Sequence, residues 1–330
     1  MALLSKKLRP VFSFVCMLLL LCSTGVRAAE FPNRSLTIVV PFSPGGGHDF
    51  TARLMAAKLT DVLGQQVIVL NRPGANGMIG TQYVTQSPAD GYTMTMSSPA
   101  ETVISPMLYR NMTYDPTKDL KPVTLVGVTP IALVASPSFE PDNVSELVDY
   151  VKANPEKVSY GTPGVGSAHH LAVDWIARGT GIKMLDIPYK GAAPATSDAM
   201  AGQIPLASVG MAPVTPHWKA GKLKVLAIMN NKRLSWLPDV AVASETPGAE
   251  DVDVYQWMGV FVPAGTPDEA ITTLNQAYAK VLRDPEVKKT MINNGVDPVG
   301  NSVDEFKQYI KEETEKYSKL VKESGVQITE

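Results

Sequence analysis

The chain of 330 residues has two cysteines, Cys16 and Cys22, and both lie in an N-terminal stretch that reads as a removable leader. Lys6, Lys7 and Arg9 precede an apolar run over residues 11–21, and Val26-Arg27-Ala28 places small or apolar residues at −3 and −1 of a cleavage site. That run is too short for the roughly 20 residues of a membrane span, and no later run is longer. The mature chain is therefore expected in the periplasm, cleaved near Ala28, without a disulfide, a thiol nucleophile or a thiolate metal ligand. Leu20-Leu21 lack the small residue that precedes a lipoprotein cysteine, which argues against a lipid anchor at Cys22.

Positive charge is scarce as well. Removing residues 1–28 takes away four basic groups and no acid, so the remaining 302 residues carry 26 Lys and Arg against 32 Asp and Glu, a balance of −6. Nucleic acid is excluded as a partner, and an anionic ligand would have to be drawn in by local dipoles against a mildly repulsive overall field. Aromatic residues make up only 7% of the chain, while Ala, Val, Leu, Met and Gly abound, as in helices layered on parallel strands. There is no Gly-Lys-Ser/Thr phosphate loop, no internal repeat and no low-complexity tract.

What the sequence does contain is an alternation of short apolar strands, expected at residues 36–40, 67–70, 92–96, 123–128, 131–135, 158–160, 184–187 and 223–229, with helical patterns between them. Asn143-x-x-Glu146, Thr266-Pro267-x-Glu269 and Ser302-x-x-Glu305 each set an acceptor at an N-cap and an acid three residues on, predicting helices that reach roughly Ala153, Arg283 and Lys322. The order predicts an α/β fold of doubly wound sheets, whose ligands sit beyond the carboxyl ends of the strands.

Two loops stand at such ends. Pro41-Phe42-Ser43-Pro44-Gly45-Gly46-Gly47-His48-Asp49 follows the first strand, and Gly161-Thr162-Pro163-Gly164-Val165-Gly166-Ser167-Ala168-His169-His170 follows the strand near Tyr160. Glycines there let an anion approach the main chain, and the helix that follows adds partial positive charge; a tight turn serving geometry alone is the competing explanation. Gly164-x-Gly166 has His169 where a dinucleotide fingerprint wants glycine. His169 and His170 are helix neighbours and cannot make the i, i+4 zinc pair, so no metal, cofactor or catalytic residue is assigned. A hydrolase built on Ser167 with either histidine would have poor geometry. Asp49 either caps its helix or meets the ligand, and Lys190, just past a strand end, either attracts the anion or is solvated. Trp257 stands where it could report a change of shape.

These motifs, with Asn71-Arg72-Pro73-Gly74-Ala75-Asn76-Gly77, Ala89-Asp90-Gly91-Tyr92-Thr93, Pro188-Tyr189-Lys190-Gly191, Ala220-Gly221-Lys222-Leu223, Leu237-Pro238-Asp239-Val240, Pro263-Ala264-Gly265-Thr266-Pro267, Asp284-Pro285-Glu286-Val287 and Glu323-Ser324-Gly325, make the chain resemble the periplasmic solute-binding receptors of tripartite tricarboxylate transporters, the Bug receptors. The resemblance covers essentially all of the mature chain. It implies a two-lobed Venus-flytrap architecture that captures a small organic carboxylate for a membrane permease, as a monomer and without chemistry on the ligand. The same residues also suit a ligand sensor feeding a signalling system. Lobe 1 would hold residues 29–128 plus 257–330 and lobe 2 residues 129–256, with hinges near 128–130 and 254–258.

Carried over, the resemblance implies ligand contacts at Phe42, Ser43, Pro44, Gly45, Gly46, His48 and Asp49 on one side and Thr162, Gly164, Gly166, Ser167 and His170 on the other. Ser98, Glu101 and Lys190 are added as candidates from the third-strand loop and the strand end. Ser43 and His48 depart from the family's usual loop, and Glu101 would repel a second carboxylate unless paired or protonated. Pro205 and Met211-Ala212-Pro213 replace more polar family residues and point to a less polar distal pocket.

Overall fold

A computed structural model describes residues 31–324 except 156 and 235, together with 326; the expected leader lies outside the described residues. The chain runs β1 (Leu36–Val40), α1 (Gly47–Leu63), β2 (Val67–Asn71), α2 (Met78–Thr85) and β3 (Thr93–Ser97), then the short α3 (Ser105–Leu108) and α4 (Pro116–Asp119) into β4 (Leu120–Ala135). Next come α5 (Val144–Ala153), β5 (Ser159–Thr162), α6 (Ala168–Thr180), β6 (Leu185–Pro188), α7 (Ala192–Met200), β7 (Leu206–Gly210), α8 (Met211–Lys219) and β8 (Lys224–Ile228). The chain then returns through β9 (Tyr255–Pro263), α9 (Asp268–Arg283), α10 (Pro285–Asn293), β10 (Asp297–Pro298) and α11 (Val303–Ser324).

The strands form a mixed sheet in the order β2-β1-β3-β9-β4-β7-β5-β6, with β8 and β10 also on β4. β1 lies parallel between β2 and β3, and β5 lies parallel between β6 and β7. Central parallel strands are covered on both faces, which is why β1 reads Leu-Thr-Ile-Val-Val without polar alternation.

The two strands expected at 123–128 and 131–135 are one. β4 pairs antiparallel with β9 from Leu120 to Pro130 and with β7 from Ile131 to Ala135. The handover falls at Pro130, whose nitrogen has no hydrogen to donate, so the ladder changes partner at a residue that could not have bonded fully anyway. Sequence patterning overlooks β7 and β9. Both are almost wholly buried, and a strand buried on both faces lacks the period-2 signal.

Of the three predicted caps, two hold. Asn143 Oδ1 accepts from Glu146 N at 2.9 Å while its amide donates to Glu146 Oε1 at 2.7 Å. Ser302 Oγ accepts from Glu305 N at 3.3 Å, and its own N–H donates back to Glu305 Oε2. At the third, Pro267 occupies the cap and makes no side-chain cap bond, and the buried Thr266 hydroxyl has no partner. Asn143→Ala should lower stability by about 1 kcal/mol in urea unfolding, and Asn143→Gly by only a few tenths, since glycine tolerates the cap conformation.

Trp257 lies on β9 opposite Val128, beside the expected crossovers. It is fully buried against Phe261 and Phe306, and its Nε1 donates to Glu313 Oε2 at 3.1 Å.

Candidate functional site

A small cavity of about 30 Å³ lies where the two sets of parallel strands point their carboxyl ends. From the β1 side it is lined by Phe42, Gly46, Gly47 and His48, and from the β5 side by Pro163 and His169. Ala192 of α7, and Gly210, Ala212 and Pro213 at the start of α8, complete that side, while Thr129 of β4 and Gln256 and Met258 of β9 form the floor. Gly47, His169, Ala192 and Ala212 belong to the first turns of α1, α6, α7 and α8. Four helix N-termini thus meet at one cavity, each bringing partial positive charge. Among the described lining residues there is no Lys, Arg, Asp or Glu.

The two histidines supply the polarity of the walls. His48 is 7% and His169 4% exposed, and each has one ring nitrogen without a hydrogen bond, Nε2 of His48 and Nδ1 of His169. Burial drives the His48 pKa down to about 4, partly offset by the nearby carbonyls of Ser97 and Trp257. Burial, and then the proximity of His48, drives that of His169 down to about 3. Both are neutral at pH 7. The His48 ring packs on Phe42, centroids 4.9 Å apart.

Around this centre the other candidates are engaged in holding the loops. Asp49 is 5% exposed; its Oδ2 accepts from Gly45 N at 3.0 Å and from Arg53 Nε, and its Oδ1 accepts from Asn71 at 2.9 Å. Burial would raise its pKa, but the bonds from Arg53, Gly45 and Asn71 and the Arg53 charge together hold it below the usual carboxylate range. The Gly45 amide, expected to face an anion, is thereby occupied. The Gly166 amide is occupied in the same way, donating to His170 Nδ1 at 3.0 Å. Ser167 caps α6, its Oγ accepting from His170 N at 3.2 Å. Thr162 turns its hydroxyl to Asp186 at 2.8 Å. His170 opens, with Asp174 and Asp186, onto a separate surface depression and not onto the cavity.

Two contacts join the loops of the two strand sets. Ser43 donates from both N and Oγ to the Lys190 carbonyl, at 3.1 and 2.8 Å, so Lys190 contributes its backbone while its side chain is exposed. Pro44 and Gly45 are exposed beside this contact. On the other flank Asn76, held at φ 49°, donates to the Val165 carbonyl at 3.2 Å and lies directly over Gly164. Asn76 belongs to a recognisable sequence motif, but nothing in its spacing announces that it reaches residue 165.

Glu101 lies outside the cavity lining. It is fully buried behind Gly77 and Phe42; a Cβ on Gly77 would stand 3.0 Å from its Cδ. Its Oε1 accepts from Ser98 N at 2.7 Å and its Oε2 from Ser98 Oγ, so Ser98 is engaged with the acid from both its backbone and its hydroxyl. Burial raises the Glu101 pKa to about 7, against the lowering effect of the Ser98 and Ser97 hydrogen bonds. Residues that sequence reasoning missed, Thr129, Gln256 and Met258, line the cavity from strands whose register only the folded sheet reveals.

Comparison with known proteins bears on the family and the fold. The model of the tripartite tricarboxylate transporter family receptor matches residues 51–326. BugT of Bordetella pertussis is 34% identical over 304 residues, which is 92% of this chain and 93% of BugT. The structure of R. palustris Rpa4515 with adipate superposes with a TM-score of 0.86 at 32% identity, covering 90% of this chain and 99% of that one. MatC from Rhodopseudomonas palustris with bound malate gives a TM-score of 0.83 at 28% identity, covering 88% and 100%. The fold is that of the periplasmic binding proteins, and the chain belongs to the tripartite tricarboxylate transporter receptor family.

Proposed function

We propose that the cavity between the glycine loops captures one small organic carboxylate, and that two lobes, residues 29–128 plus 257–330 and residues 129–256, close over it about hinges near 128–130 and 254–258. The closed, loaded receptor then delivers the ligand to a tripartite-type permease. The observation that carries this reading is the meeting of four helix N-termini from both strand sets at a cavity with no fixed charge among its described lining residues. Such a site offers directed N–H groups and partial positive charge at no cost in competing counter-ions. Adipate and malate in the related structures support a carboxylate as the ligand class. Lobe closure gives the permease a shape to recognise, stabilised by the ligand's differential affinity for the closed state. Phe42, Gly46 and His48 remain the contacts we assign from the first loop; Pro163 and His169 join them from the second.

A thermal-shift screen of the mature protein tests this, using aliphatic, hydroxy, amino and aromatic mono- and dicarboxylates. A ligand at about 100 times its Kd should stabilise by roughly 2.7 kcal/mol, a shift of a few degrees in a chain of this size. A flat screen of folded, ligand-free protein would overturn carboxylate capture.

A further inference from the structure

His48 and His169 come from different strand sets, yet both line the one cavity, both are more than nine-tenths buried, and each holds a ring nitrogen with no hydrogen-bond partner. They are also the only ionisable side chains among the described lining residues. A carboxylate enclosed there meets helix dipoles and the Gln256 amide, but no full positive charge, since the Thr129 hydroxyl already donates to the Gly295 carbonyl at 2.6 Å. Burying an anion without a counter-charge is costly, and an adjacent anion favours the protonated form of an imidazole. We propose that the His48–His169 pair accepts a proton from solvent when a carboxylate is captured, so that binding is coupled to proton uptake at this site. This rests on the carboxylate reading above and adds its regulation by pH.

The stoichiometry follows from the proximity of the rings. Two protonated imidazoles facing one cavity repel, and His48 already lowers the proton affinity of His169. One carboxylate therefore brings one proton shared by the pair. Other ionisable groups on the elements packed around the pair are engaged elsewhere. On α1, Asp49 is bound to Arg53; on α6, His170 accepts from Gly166 and Asp174 faces Arg178. Glu101, in the segment after β3, is held by Ser98 behind Phe42. Ser97 and Trp257 present only backbone carbonyls to His48. Asp49, His170 and Asp174 cannot substitute for the pair without breaking their own bonds; Glu101 can itself take up a proton near pH 7, and the histidine variants separate its share from that of the pair.

Both free-state pKa values lie well below 7, so both rings start neutral at pH 7, each with one ring N–H and room for one more proton. Binding should strengthen as pH falls below neutrality, by up to about tenfold per unit, until the ligand carboxylates themselves take up protons at about pH 5. The test is isothermal titration calorimetry at pH 7 with L-malate, succinate, adipate and benzoate as probes, each in phosphate and in Tris, whose ionisation enthalpies differ. The expected result is a buffer-dependent heat corresponding to uptake of about one proton per bound monocarboxylate. His48→Gln and His169→Gln singly should reduce the uptake, and the double variant, with a normal melting profile, should abolish it. A probe that binds wild type with zero proton uptake and no pH dependence overturns this proposal alone. If the double variant fails to fold, the wild-type proton count and the two single variants decide. If no probe binds, the carboxylate reading falls and this one with it.

Discussion

Glu101→Gln is expected to make the protein roughly 3 kcal/mol more stable than wild type at pH 8, with the advantage vanishing near pH 4. The sign follows from proton linkage. The folded-state pKa of Glu101, about 7, lies above the ordinary value of 4.5, so between those limits the folded state holds a proton that the unfolded chain has released. Stability therefore falls as pH rises through that window, and the contribution is fully lost only above the folded pKa. For a fully buried group, the gap between those two values is worth roughly 3 kcal/mol. The glutamine side chain would mimic the protonated acid: its carbonyl accepts from Ser98 N, and its amide donates to the Ser98 hydroxyl. Thermal or urea unfolding of both proteins from pH 4 to 8 measures the difference. The comparison is needed because His48 and His169, with lowered pKa values, push the other way; their contribution is lost as pH falls from about 6.5. Parallel curves for the two proteins would rule out Glu101 as the origin.

Gly164→Val should weaken ligand binding about ten- to a hundredfold. Gly164 sits at φ +156°, and a Cβ there would stand 2.8 Å from Asn76 Oδ1 and 3.0 Å from its Cγ. The obstruction lies between two loops on opposite strand sets, so it acts on their approach to one another. Overpacking of this kind costs typically about 1–3 kcal/mol, and each 1.4 kcal/mol is about a factor of ten in affinity. Asn76→Gly in the same chain removes the obstructing side chain and suits a backbone already at φ 49°. The double variant should therefore recover part of the loss. A double-mutant cycle by titration calorimetry with any carboxylate found in the screen isolates the coupling; additive losses would mean that the loops do not meet in the bound state.

Much of the framework was legible in the sequence because local rules and tertiary structure agree. β1 matches its expected bounds, and α5 and α9 end at Ala153 and Arg283 as their patterns predict. The order of strands and helices puts both glycine loops at strand ends, and both border the cavity. The fate of individual residues in them was less visible. Gly45 and Gly166 amides were expected to face an anion; each is instead consumed by a residue four positions on, Asp49 or His170. That is a local capping bond, and the sequence offers no way to rank it against a ligand. The placement of Glu101 is not legible for a different reason: the chain after the third strand enters a π-helical turn, where its side chain is fully buried outside the cavity lining. Thr129, Gln256 and Met258 were beyond reach, because they become neighbours of the loops only through pairings such as Thr129 with Gln256.

The handover of β4 from β9 to β7 also sets an order of assembly. The strand set built on β1 cannot be completed from contiguous chain: Thr95 pairs with Phe261, and the Thr124 hydroxyl donates to the carbonyl of Asn301, 177 residues later. The set built on β5 closes over far shorter loops, from β4 through β8. Contacts of such separation slow folding, since chain entropy is spent before they reward it. During synthesis at about 5–20 residues per second, residues 34–130 wait on the order of ten seconds or more for β9 and α11 to emerge. The first hundred described residues therefore complete their native pairings only after the last third of the chain has been made.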